Sequence, residues 1–222
     1  MSKIVWDDIG EKKYEYGVSH GVYYELNASN VYATGYAWNG LREVQNNPEG
    51  GEANEIWADN IKYATLRGAE NEKGSISAYT YPPEMEQANG RRAPVAGMSI
   101  TGQARGVFGM CYRTEIGSDT NPELGYKLHL LYGVTMDPSD ETHETANDNP
   151  EAQELSWDYS ATPVPVTGYK PTAHVIIDST TVSSSALTNL EDALYGTTNS
   201  AAYLPTPDQV VVLLGGTIPS NG

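Results

Sequence analysis

From Gly125 to Ser160 the chain spells out strand, long acidic excursion, strand, and this commits it to a fold built from strands. Gly125 to Met136 alternates with a period of two, placing Tyr126, Leu128, Leu130 and Tyr132 on one face. Asp137, Asp140, Glu141, Glu144, Asp148, Glu151 and Glu154 follow with no Lys or Arg between them, and Leu155, Trp157 and Tyr159 then restart the alternation. A connection of that length inside a compact domain is a functional loop or an unstructured one. It has no His or Cys cluster, no Gly-rich turn and no poised nucleophile. It therefore reads as an interaction surface, with Asp137, Asp140, Glu141, Glu144 and Asp148 as candidate contacts.

Strand signals recur along the chain: Tyr14 to Glu25, Tyr36 to Val44, Ile56 to Leu66, Lys73 to Tyr81, Met98 to Ala104 and Gly106 to Ile116. Ala173 to Thr180 is apolar and β-branched and predicts a buried strand; Gln209 to Leu214 predicts the last one. A single helix is expected around Leu187, Leu190 and Leu194, with Thr188 to Glu191 as its capping box and Gly196 as its stop. The polar stretch from Gln45 to Glu55, holding Asn46, Asn47, Pro48, Glu49 and Glu52, predicts a second long loop that adds little to the core. No linker divides the chain, so one domain over residues 1–222 is expected, with long loops near 45–55 and 137–154.

Sixteen Tyr stand against one Phe, and Tyr suits strands that are half buried or that face a partner subunit. The net charge of -16 arises from 13 basic residues set against 29 acidic ones. Such a surface disfavours nucleic acid as an affinity partner, because phosphate contacts need Lys and Arg. One cysteine, Cys111, excludes an intrachain disulfide and reads as a small buried residue. No leader segment and no apolar run near the ~20 residues of a membrane span are apparent, so no membrane role is expected.

Catalytic signals are weak. Gly17-Val18-Ser19-His20-Gly21 matches the G-x-S-x-G pattern, but strand-type residues flank it where a strand-to-helix elbow is required. His20, His129, His143 and His174 have no second His or Cys at ligand spacing, and His129 reads as a polar strand residue. The acidic excursion lacks the spacing of a calcium loop. The residues predict no enzyme, no cofactor and no metal.

Several segments, in order, resemble phage major tail proteins, the tail-tube subunits of long non-contractile tails. They are Tyr16-Gly17-Val18 leading to Gly21-Val22-Tyr23-Tyr24; Ala33 to Leu41; Ala58 to Tyr63; Ala78 to Pro82; Tyr126 to Tyr132; Glu154 to Trp157; and Leu190 to Thr197, followed by Leu204 to Asp208. The resemblance implies an all-β fold with one short flanking helix, a β-sandwich whose inner sheet joins a ring-spanning β-barrel on oligomerisation. It further implies six subunits per ring and rings stacked into a tube in the virion tail, assembled in the host cytoplasm. The partners it implies are other tail proteins at the tube ends, a tape-measure protein during assembly, and DNA that passes through without specific binding. In that family a loop between early strands contacts the next ring, and Gln45 to Glu55 matches it by position. A non-enzymatic carbohydrate-binding β-sandwich is the alternative that composition leaves open.

Overall fold

The computed structural model describes residues 4–50, 53–67, 70–138, 142, 143, 145, 148 and 152–219. Its strands are β1 (Lys13–Leu26), β2 (Tyr32–Trp38), β3 (Leu41–Asn46), β4 (Ala53–Ala58), β5 (Ile61–Arg67), β6 (Glu72–Ala78), β7 (Phe108–Ser118), β8 (Gly125–Met136), β9 (Leu155–Ala161) and β10 (His174–Asp178). Two helices follow them, α1 (Ser184–Tyr195) and α2 (Pro207–Leu213). The main sheet runs β2-β1-β7-β8-β9-β6-β3, with β10 also paired to β8, and β4-β5 form a separate ribbon. All pairings are antiparallel, and the arrangement is that of a β-sandwich with flanking helices.

The sheet becomes two layers because β8 bends. Its first half pairs β7 and β10 over Lys127 to Leu131, and its last three residues, Val134 to Met136, pair β9. The bend falls at Gly133, whose φ of 60° lies in the left-handed region that glycine adopts without steric cost. One extra residue on β8 shifts the β7 register there, as a β-bulge does. Before the bulge, Leu131 points into the inter-sheet core; after it, Val134 and Met136 do. The inserted residue reverses the in/out parity and keeps apolar side chains inward while the strand changes sheets.

Two cores result. The inter-sheet core holds Tyr23, Trp38, Ile76, Phe108, Met110, Tyr112 and Trp157. The second lies on the opposite face of β1, β7 and β8, where Val22, Tyr24, Cys111, Leu128, Leu130 and Tyr132 pack under Leu190, Leu194 and Val210 of the helices. Strands buried on both faces need apolar residues at consecutive positions, and Phe108 to Tyr112 of β7 supplies such a run. Burial pushes the Cys111 thiol up to about 12, so it is a packing residue.

Several boundaries differ from the expectation. Ile56 to Leu66 is a hairpin, turning at Asp59-Asn60, both with positive φ as a primed turn requires. Tyr36 to Val44 likewise splits at Asn39-Gly40 into β2 and β3. Met98 to Ala104 is no strand; it holds one isolated bridge, Arg92 to Ile100. Helix α1 starts earlier than Thr188, with Ser183 as N-cap, and Thr188 lies inside it. The expected last strand is helix α2. Thr206 and Gln209 form a reciprocal capping box with Pro207 at the first position, and this overrides the strand preference of three consecutive valines. Finally, β10 is an edge strand with Ile176 exposed.

Candidate assembly surface

The ribbon β4-β5 is the most conspicuous exposed feature. Ile56, Trp57, Ile61, Tyr63 and Leu66 all stand in solvent, Trp57 at 63% and Tyr63 at 72% exposure. Ile56 pairs with Ala64 while Ile61, Tyr63 and Thr65 alternate to the other face, so both faces of the ribbon carry apolar side chains. Among the described residues neither strand pairs with the main sheet. Lys62 bonds Glu55 across the ribbon, which holds the two strands in register.

The ribbon joins β3 to β6 directly beyond Asn46 to Glu49. Gln45 and Asn46 belong to β3, and Glu49 continues the ladder through reciprocal bonds of 2.8 Å with Asn71. The expected loop is therefore paired backbone over its first half, and it leads into β4 from Ala53. Glu52 lies outside the described residues. Asn46 faces inward: its amide donates to the Tyr112 hydroxyl at 2.8 Å, and its oxygen accepts from the Tyr159 hydroxyl at 2.6 Å. It is a half-buried polar residue tied to two core tyrosines, and the expectation that this stretch adds little to the core does not hold for it.

Asn46, Asn47, Pro48 and Glu49 line a surface concavity of about 710 Å³ together with Asp137 and Asp158. The two stretches singled out in the sequence thus meet at Asp137, whose N–H donates to the Asp158 carbonyl at 2.9 Å. Lys73 bonds Glu49 at 2.8 Å on the same wall. Asp140, Glu141 and Glu144 lie outside the described residues, and Asp148 is exposed. Beside the concavity, the outer face of β3, β6 and β9 is small and polar. Ser77 stands opposite Ser156, Ser75 opposite Asp158, and Glu43 opposite Ser77.

A buried polar cluster went unread in the sequence. His129 of β8 and His174 of β10 lie 45 residues apart, and their Nδ1 and Nε2 atoms approach to 3.1 Å. The His129 ring stacks on Tyr112 at 4.6 Å, and its Nε2 meets Thr114 at 3.1 Å. Glu15 sits 3.4 Å from His129, and Glu72 sits 3.6 Å from His174, too far for a hydrogen bond. Burial holds both imidazoles below their usual range, His174 at about 4, so both are neutral at pH 7. Burial raises Glu72, whose Oε1 has no hydrogen-bond partner. For Glu15 burial pulls upward, but hydrogen bonds from Lys127 and Thr114 outweigh it and the net shift is downward. Period-2 alternation identifies His129 as a strand residue; only the β8–β10 pairing reveals its partner.

Ser19 Oγ lies 2.9 Å from His20 Nδ1 and 3.5 Å from Glu115. The carboxylate reaches the serine and not the far nitrogen of the imidazole, so the order of a catalytic triad is not formed. His20 has a positive φ of 53° in a strand, where β1 is doubly irregular against β7. Among the described residues no group of three or more His, Cys, Asp or Glu is placed to hold a metal ion, and no helix is long and apolar enough to cross a membrane. The chain matches no protein-family model and no curated protein sequence.

Proposed function

We propose that this chain is a structural virion protein, a tail-tube subunit that assembles into stacked hexameric rings through which viral DNA passes. The observation that carries the reading is the β4-β5 ribbon, apolar on both faces and, among the described residues, unpaired on both edges. An exposed apolar strand edge is a template for another chain. Fully burying one large apolar side chain is worth about 1.5–3 kcal/mol. Five such residues, already partly covered, offer on the order of 5 kcal/mol per subunit to a partner that sandwiches them.

The Ser-rich outer face of β3-β6-β9, with Glu43 and Asp158, suits the wall of a conduit, because its bases Lys73 and Arg42 are each paired to a carboxylate, of Glu49 and Glu154, and offer a phosphate backbone little cationic foothold. Other tail proteins at the tube ends and a tape-measure protein are the further partners on this reading. A carbohydrate-binding module would also expose Trp57 and Tyr63, but the aliphatic Ile56, Ile61 and Leu66 beside them favour a protein partner over a sugar.

The test is assembly. Concentrated protein, seeded with tail tips where spontaneous nucleation is slow, is expected to form rings or tubes by negative-stain imaging. The triple variant Ile56→Ser, Trp57→Ser, Tyr63→Ser is expected to melt like the wild type and form none. A wild type that stays monomeric at every concentration, salt and seed tested refutes the proposal. Binding to a glycan array by that monomer would replace it with the carbohydrate reading.

A further inference from the structure

A cavity of about 620 Å³ opens where Leu26 at the end of β1 meets Val107 before β7, the Gly133 bulge and Val164. Val31, Tyr203 and Leu204 add to its apolar lining, and among the described residues no Asp, Glu, Lys, Arg or His lines it. In a chain of net charge -16, an uncharged apolar hollow of this size is the surface that another copy approaches at least electrostatic cost.

At the other end of the β1–β7 ladder the chain presents an exposed segment whose apolar side chains flank the acids Asp7 and Asp8. Ile4, Val5, Trp6 and Ile9 are between 63% and 87% exposed. The segment is tied down at Gly10, whose N–H donates to Asp119 Oδ1 at 3.0 Å, next to the Lys13–Ser118 pair that begins the ladder. The ladder runs from Lys13 to Glu25, about 40 Å at about 3.3 Å per residue. The six residues from Gly10 back to Ile4 span about 20 Å when extended. The segment cannot reach the cavity of its own chain.

We propose that the apolar side chains Ile4, Val5, Trp6 and Ile9 of one copy dock in the uncharged cavity of the next copy along a stack, with Asp7 and Asp8 left in water. The inference rests on the stacked-ring reading and names the contact that joins one ring to the next. Segment and cavity lie at opposite ends of one ladder, so the contact is heterologous, and it propagates along an open stack as a head-to-tail interface does. Four such side chains bury on the order of several hundred Å². That is short of the about 1,200 Å² of a stable standard interface, so a single arm does not hold two subunits together. Arms acting in parallel around a ring do, through effective concentration.

Two measurements test it. None of the described residues of the segment, 4–9, belongs to either core, so on deletion of residues 1–9 the melting temperature is expected to hold while the critical concentration for tubes rises at least about tenfold; Val107→Glu, which charges the cavity rim, is expected to act in the same way. In the double variant Ile9→Cys, Val31→Cys, oxidation of assembled tubes is expected to give a ladder of covalent oligomers, with Cys111 buried and silent. Each single-cysteine variant is expected to give none. Tubes of unchanged critical concentration from the deleted protein, or no cross-link in double-variant tubes, overturn the docking alone. A wild type that forms no rings or tubes overturns the stacked-ring reading and the docking with it.

Discussion

Replacing Asn46 by Ala separates a structural from an assembly role for the stretch before the ribbon. Asn46 holds two hydroxyls at once, donating to Tyr112 and accepting from Tyr159, and both tyrosines are 2% exposed. Truncation leaves two buried hydroxyls without that partner, each costing about 1–3 kcal/mol. Asn46 and Tyr159 also line the surface concavity, so water can replace part of what is lost, which argues for the low end of the range. The expected loss is about 2–4 kcal/mol, or about 4–16 °C in melting temperature for a chain of this length. Differential scanning calorimetry at a concentration below assembly measures it, because association would itself raise the melting point. Asn47→Ala is the control. That side chain is exposed, and its N–H bond to the Lys73 carbonyl survives the substitution, so a change within about 0.5 kcal/mol is expected. Two variants that melt alike would refute the reasoning; an Asn46→Ala protein that melts normally but fails to stack would return Asn46 to the interface.

The histidine pair makes stability depend on pH. A folded-state pKa of about 4 for His174, against about 6.5 unfolded, removes stability as pH falls through that window. His129 acts in the same direction and Glu72, with its raised pKa, gives part of it back, so a net loss of about 2–3 kcal/mol between pH 6.5 and 4 is expected in urea titrations. His174→Asn is expected to flatten that profile; an unchanged slope would count against the pair. Gly133→Val forces a β-branched residue to φ 60° and sets its Cβ 2.5 Å from the Thr162 carbonyl, so a loss above about 3 kcal/mol or insoluble expression is expected, and a wild-type melt would contradict the bulge. Duplex DNA at about 50 mM salt is expected to show no retardation by subunit or ring in a gel shift, and tight salt-sensitive binding would mean that the few bases gather on one face.

The strands that carry the sandwich were legible because their periodicity is local. β1, β6, β8 and β9 follow directly from alternating positions, and β8 is read to its ends. Helix α2 was legible too, but only to a reader who weighs Thr206-Pro207-Asp208-Gln209 above the valines that follow. Four residues of start signal decided a segment whose composition favours a strand. The ribbon escaped because its turn is Asp59-Asn60, without the glycine that marks a primed hairpin turn most clearly. Asn46 reads as loop on its chemistry alone. Its role depends on Tyr112 and Tyr159, 66 and 113 residues away, and no local pattern encodes that. The His129–His174 contact escaped for the same reason.

Charge ties these surfaces together. Of the net charge of -16, the ribbon segment contributes nothing, since Glu55 and Asp59 are matched by Lys62 and Arg67 in sequence. The cavity lining contributes nothing either. The acids lie elsewhere, seven of them between Asp137 and Glu154 with no base among them. Exposed apolar groups would make a neutral chain associate indiscriminately. Here the negative surface makes every contact repulsive except those that bring uncharged patches together. Salt then acts in two opposed ways: screening relieves repulsion between neighbours within about 10 Å at about 0.1 M, which favours ordered assembly, but it also weakens the discrimination against wrong contacts. Ordered rings or tubes belong at intermediate salt, with dispersed subunits below it and irregular aggregate above it, and the lower boundary should fall as acids are removed from the Asp137 excursion.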